Sequence, residues 1–241
     1  MKNILLTGCS RGVGLSIAKS LVVSGYNVYG VSRKITKEYQ QLMDTNPEHV
    51  FYAPFDLSNP DGVQNVIFKE YIPNSIPLHG FINNAAIAYD DIITNLDLDR
   101  LRNMFEVNVF SPLNITKYAI RNMIYNRVKG SIVHISSISV HTGYKGLAMY
   151  AGSKGALEAF SKNTAREWGE RGIRSNCLVA GFMDTDMSST LGDDMKDRIF
   201  KRTSLKVPTA LESVADMIKF LISEEAKSVT GQNIHVDSGT I

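Results

Sequence analysis

Short apolar runs alternate with stretches of helical periodicity along this chain, and the alternation predicts strand after strand separated by helices. Asn3–Thr7, Asn27–Ser32, Val50–Phe55, Leu78–Ile82, Ser131–Ser136, Arg174–Val179 and Asn233–Val236 read as strands. After the first, Leu15, Ile17, Ala18, Leu21 and Val22 recur at helical spacing. A helix capped by Ser58 or Asn59 is predicted near Pro60, and a long one over about 97–126, kinked at Pro112. Thr209-Ala210-Leu211-Glu212 reads as a capping box opening a last helix. Strands alternating with helices predict an α/β fold: a single doubly wound, Rossmann-type domain over 1–241, its mostly parallel sheet of about seven strands covered by helices on both faces.

Composition changes this picture little. At 241 residues, 44% hydrophobic and 21% charged, the chain is long enough for one large core. No apolar run approaches a membrane span, and the opening residues are too short for a signal sequence, so the expectation is a cytoplasmic protein that does not bind membranes. A net charge of +2 gives no support for nucleic-acid binding. Cys9 and Cys177 and the five histidines show no metal-ligand spacing, and both cysteines read as small buried residues.

Between the first strand and its helix stands Gly8-Cys9-Ser10-Arg11-Gly12-Val13-Gly14. Glycines there let the backbone approach a pyrophosphate while the helix N-terminus directs N–H groups at it. The pattern TGxxxGxG differs from the commoner GxGxxG fingerprint but does the same physical work. At the end of the second strand an acidic residue would bind ribose hydroxyls, whereas arginine accommodates a 2′-phosphate. Ser32 and Arg33 stand there, with Arg11 in the glycine loop, and this argues for NADPH over NADH; the alternative is an arginine that merely extends over the surface.

Tyr150 and Lys154 are four residues apart, so on a helix they share a face. A free tyrosine titrates near a pKa of about 10, and a neighbouring cation pulls that value down, which makes the pair a general acid/base. Ser137 could hold a carbonyl oxygen beside the phenol. Taken alone, such a pair on an amphipathic helix is usually just two surface neighbours.

Together these residues resemble the short-chain dehydrogenase/reductase family, and within it the 3-oxoacyl-[acyl-carrier-protein] reductases. The resemblance covers the whole chain and is carried by Thr7–Gly14, Asp56, Asn83-Asn84-Ala85, Asn108, Ser137, Tyr150 with Lys154, Asn176, Gly181 with Thr185-Asp186-Met187, and 230–239. Ala86 and Ala180 depart from it, standing where a glycine and a proline are usual. The resemblance implies that Tyr150 protonates a carbonyl as hydride arrives, that Ser137 polarises it, and that Lys154 binds the nicotinamide ribose. It implies that Asn108 holds a water in a proton path, that Asp56 meets adenine and Thr185 the carboxamide. It also places Ser10, Val13, Leu57, Asn83, Ala85, Gly181 and Met183 along NADP(H).

The segment 182–207 mixes apolar residues with Ser188-Ser189-Thr190 and reads as a substrate lid of one or two short helices. The implied partners are an acyl thioester, on acyl-carrier protein or coenzyme A, and three further copies in a homotetramer. Arg127, Lys129 and Arg171 are candidate rim cations for an acidic carrier, or else helix-end dipole partners. Other readings are a dehydrogenase of another small carbonyl or alcohol, such as a sugar, polyol or steroid, and a nucleotide sensor without turnover.

Overall fold

A computed structural model describes residues 1–184 and 192–240. Its seven strands are β1 (Lys2–Thr7), β2 (Tyr26–Ser32), β3 (Val50–Pro54), β4 (Leu78–Asn83), β5 (Ser131–Ser137), β6 (Arg174–Ala180) and β7 (Asn233–Val236). All neighbours pair in parallel, in the order β3-β2-β1-β4-β5-β6-β7. The chain winds outward from β1 to one edge, then restarts at β4 and winds to the other. A crevice opens at the carboxyl ends of the strands where the winding reverses, between β1 and β4.

The strands are apolar on both faces because both faces are covered. Ile4 and Leu6 of β1 enter a core with Ile17, Ala18 and Leu21 of α1 (Gly12–Val23) and Val214, Ile218 and Leu221 of α8 (Leu211–Ile222). Leu5, pointing the other way, joins Phe81, Ile132, Ile67, Ile115 and Met123 in a second core. The remaining helices are α2 (Lys37–Thr45), α3 (Leu98–Phe105), α4 (Ser111–Tyr125), α5 (Ser139–Thr142), α6 (Ala148–Trp168) and α7 (Asp193–Phe200). Among the described residues no helix is long and apolar enough to cross a membrane.

Three local expectations are corrected. The long helix is interrupted before Pro112, by a wide π-helical turn over Glu106–Phe110 that joins α3 to α4, and Pro112 sits in the first turn of α4. Proline has no N–H to give the carbonyl four residues back, and a wider turn absorbs the missing bond. After Pro60 there is a 3₁₀ turn (Pro60–Gly62) followed by a π-helical stretch (Gln64–Tyr71); Asn59 is the cap, its side chain accepting from the Gly62 amide at 3.1 Å. No capping box forms at Thr209: Ala210 is the N-cap of α8, without a side-chain bond. The Thr209 hydroxyl is turned toward Gly181 instead, buried without a hydrogen-bond partner.

Candidate active site

The glycine turn is built by positions where a side chain would collide. Gly8 has φ +67°, and a Cβ there would lie 2.8 Å from Asn84 Nδ2 and 2.9 Å from Ala85 Cα. Gly12, at φ +52°, opens α1, whose N-cap Arg11 makes no side-chain capping bond. A Cβ on Gly14 would strike the Gly8 carbonyl oxygen at 1.9 Å. The result is a tight turn leading to helix N–H groups that no side chain caps, which fits a dinucleotide pyrophosphate.

The end of β4 locks this turn from below. Thr7 Oγ1 accepts from the amides of Asn84 and Ala85, both at 3.2 Å, while Asn84 Nδ2 donates to the carbonyls of Thr7 and Gly8. Asn83 points inward: its side chain is buried against Thr7 and His134. Ala86 avoids the left-handed region, so its methyl costs the backbone nothing there. Asp56 is exposed, its carboxylate accepting from the Ser58 amide, and Leu57 is buried, its carbonyl accepting from Ser111 Oγ. Val13 packs partly buried, Ser10 is buried with its carbonyl turned to Thr36, and Arg11 is exposed. Ser32 closes β2 and Arg33 follows it, exposed.

Ser137 ends β5, opposite Ala180 in the ladder. Its Oγ accepts the Ser139 amide at 3.1 Å, which leaves its own proton for a ligand. Lys154 is 2% exposed, and its Nζ donates to the Ile135 carbonyl at 2.8 Å, two residues before Ser137. That nitrogen is 5.7 Å from the Tyr150 ring centroid. Tyr150, partly buried, packs beside Tyr89, Met104 and Met149. The expected depression of its pKa is not what the structure has. Burial, reinforced by the negative charge of Asp90, holds the phenol above its ordinary value, and burial pulls the Lys154 ammonium down to about 8.

Asn108, fully buried in the π-helical turn, accepts from the Ile87 amide and donates to the Ile87 carbonyl, both at 2.9 Å, and to Ser153 Oγ at 3.1 Å. Ser153 in turn donates to the Tyr150 carbonyl. The side chain expected to hold a water therefore spends its groups on protein, binding the segment after β4 to the helix that carries Tyr150.

Gly181 follows β6, where its amide donates to the Val236 carbonyl; a Cβ would lie 2.2 Å from Thr209 Oγ1 and 2.5 Å from Asp237 Cα. Met183 is partly buried in the α1 and α8 core, and Thr185 lies outside the described residues, as do Asp186–Leu191. In the remaining part of 182–207, the Phe182 and Phe200 rings meet at a tilt of 59°, their centroids 5.8 Å apart, and Lys196 pairs with Asp184 at 2.7 Å.

Sequence reading missed two polar centres. Glu158, one turn beyond Lys154, accepts from Ser136 Oγ at 2.5 Å and Asn233 Nδ2 at 2.7 Å and pairs with His141 Nε2 at 3.1 Å. The stripe 150, 154, 158 was a visible signal. His134 is buried between Phe81 and Phe160, and burial with the charge of Lys154 lowers its pKa to about 3, so it is neutral. Cys9 is buried and its thiol pushed up to about 12 by desolvation, which makes it inert.

The three rim cations are elsewhere. Arg127 follows the C-cap of α4, Lys129 packs against the turn at Gly172, and Arg171 precedes β6, all at the amino ends of β5 and β6. The length of β5, roughly 20 Å at about 3.3 Å per residue, separates that end from Ser137. Within one subunit they do not line the site.

A family model described as enoyl-(acyl carrier protein) reductase matches residues 8–240. The chain belongs to the short-chain dehydrogenase/reductase family. Its relatives include a 3-oxoacyl-[acyl-carrier-protein] reductase, FabG, of Chlamydia muridarum, 34% identical over 241 residues and covering 99% of this chain and 96% of that one. Among solved structures, a putative betaketoacyl-ACP reductase superposes with a TM-score of 0.86 at 27% identity, covering 99% and 97% of the two chains. A blue fluorescent protein from a metagenomic library, solved with NADPH, gives 0.89 at 25% identity, covering 99% and 97%. The seven-stranded parallel sheet is that of a short-chain oxidoreductase.

Proposed function

We propose that this chain is an NADPH-dependent reductase that converts the ketone of a 3-oxoacyl thioester to the (R)-3-hydroxy product. The observation that carries the chemistry is the setting of Tyr150. It is a partly buried phenol kept protonated at neutral pH, on a helix whose Lys154 is fastened to the strand that ends in Ser137. A protonated phenol is the form a reductase needs, since the alkoxide formed in reduction must receive a proton. The named relative supports the substrate class, and the stereochemistry follows from the family resemblance.

Gly8, Gly12 and the first N–H groups of α1 would hold the pyrophosphate, Arg11, Ser32 and Arg33 the 2′-phosphate. Asp56, Leu57, Asn83, Ala85, Gly181, Met183 and Thr185 would lie along the rest of the dinucleotide. Reduced nicotinamide supplies the hydride when bound. Ser137 Oγ, its lone pair occupied by the Ser139 amide, directs its proton at the ketone oxygen. Ser137 keeps its proton and only polarises the ketone, while Tyr150 Oη delivers the one proton that this oxygen gains as it becomes an alcohol. Lys154 holds the ribose and its positive charge favours the phenolate left behind. Asn108 keeps Tyr150 and the segment at Ile87 in register, and its turn would carry the water that restores the proton. Residues 182–207 would close over the acyl chain, and four copies would form the working assembly.

The test is NADPH oxidation with an acetoacetyl group on acyl-carrier protein, on coenzyme A, and against free ketones and sugars. Thioester turnover far above that of the free compounds is expected. Turnover of a sugar or polyol with thioesters ignored would transfer the enzyme to another substrate class, and no turnover with any carbonyl would revive the nucleotide sensor.

A further inference from the structure

The turn between β2 and α2 is exposed, yet it is tied at both ends. At its start the Ser32 carbonyl accepts from Tyr52 Oη and from the Phe55 amide, both at 3.0 Å, and Ser32 Oγ donates to the Lys34 carbonyl at 3.0 Å. At its end Thr36 Oγ1 donates to the Ser10 carbonyl at 2.6 Å and accepts from the Tyr39 amide at 3.3 Å. The Tyr52 ring is backed at 6.0 Å by that of Tyr39, which is fully buried and donates to the Phe51 carbonyl. Between the two ties stand Arg33 and Lys34, both exposed and, among the described residues, in no ion pair. The far tie ends on Ser10, next to Arg11.

We propose that Tyr52 and Thr36 are positioning residues for cofactor choice, fixing the backbone from which Arg33 and Lys34 meet the 2′-phosphate of NADPH beside Arg11. The proposal rests on the NADPH reading and deepens it. Phosphate recognition by long cationic side chains is costly when their backbone must also be ordered on binding, and a turn fixed beforehand removes that part of the cost. NADH carries no phosphate for these cations, so loosening the turn leaves its binding almost untouched. A brace that served only the fold would weaken both cofactors alike.

The experiment measures KM for NADPH and NADH, together with kcat, in the full chain for Tyr52→Phe, Thr36→Val and Arg33→Ala. Tyr52→Phe keeps the ring against Tyr39 and removes only the donor, and thermal midpoints confirm that each variant is folded. Both brace variants are expected to raise KM for NADPH by about three- to tenfold, the worth of one hydrogen bond. KM for NADH and kcat should stay within about twofold. Equal shifts for the two cofactors, or none, with Arg33→Ala still losing NADPH preference, would overturn the brace alone. Unchanged preference in Arg33→Ala would remove the phosphate site on which it stands, and the proposal with it.

Discussion

Lys154 is an ammonium buried almost completely, with the Ile135 carbonyl as its hydrogen-bond acceptor. Burial lowers its pKa from 10.5 to about 8, so below pH 8 the folded protein carries a charge it would rather shed. The penalty, roughly 3 kcal/mol, is present in full below pH 8. It is relieved as pH rises from 8 to 10.5, where the unfolded chain still holds the proton and the folded one does not. Lys154→Met is therefore expected to be inactive but more resistant to urea than the parent at pH 7, with the difference shrinking toward pH 10; equal or lower resistance at pH 7 would contradict this. Spacing placed Tyr150 and Lys154 on one helix face, and only the family resemblance gave them and Ser137 a role. That spacing gave the wrong sign for Tyr150, because the burial and the Asp90 charge that raise its pKa come from chain far away in sequence.

At the level of elements, the strands were readable because burial on both faces leaves uninterrupted apolar runs. The wide turn at Glu106–Phe110 was not: its residues have helical periodicity, and only Pro112 hinted at an irregularity, six residues after the turn begins. The start of α8 misled for a different reason. Thr209 has the right type for a cap, but its amide is committed to the Phe182 carbonyl and its hydroxyl faces Gly181, so the helix begins one residue later. The wide turn has a consequence for catalysis, since it directs Asn108 at Ile87 and Ser153 together. Asn108→Ala leaves the half-buried Ile87 amide and carbonyl without their partner and should cost about 1–3 kcal/mol of stability in denaturant unfolding. Turnover should fall with it, while Asn108→Ala with parental stability would show that the clamp is not needed.

For the molecule as a whole, parallel strands give the sheet two chemically different ends. Residues ending or following a strand, such as Gly8, Arg33, Ser137 and Gly181, gather at the end with the crevice; residues preceding one gather at the other. Arg127, Lys129 and Arg171 precede β5 and β6, so the strand order already assigned them to the far end, an inference open to the sequence but not drawn from it. Reversing all three charges to glutamate is expected to leave turnover of a small free ketone within about twofold of the parent, as charges roughly 20 Å away are screened. A large loss on that substrate would place them at the chemistry after all.

The claim on which everything else depends is that the Tyr150 phenol is the proton donor. Tyr150→Phe, assayed for carbonyl reduction alongside direct titration of NADPH binding, tests it without altering the fold. Turnover lower by about 10²–10⁴ with NADPH affinity preserved is the predicted result; turnover equal to the parent's would contradict the mechanism.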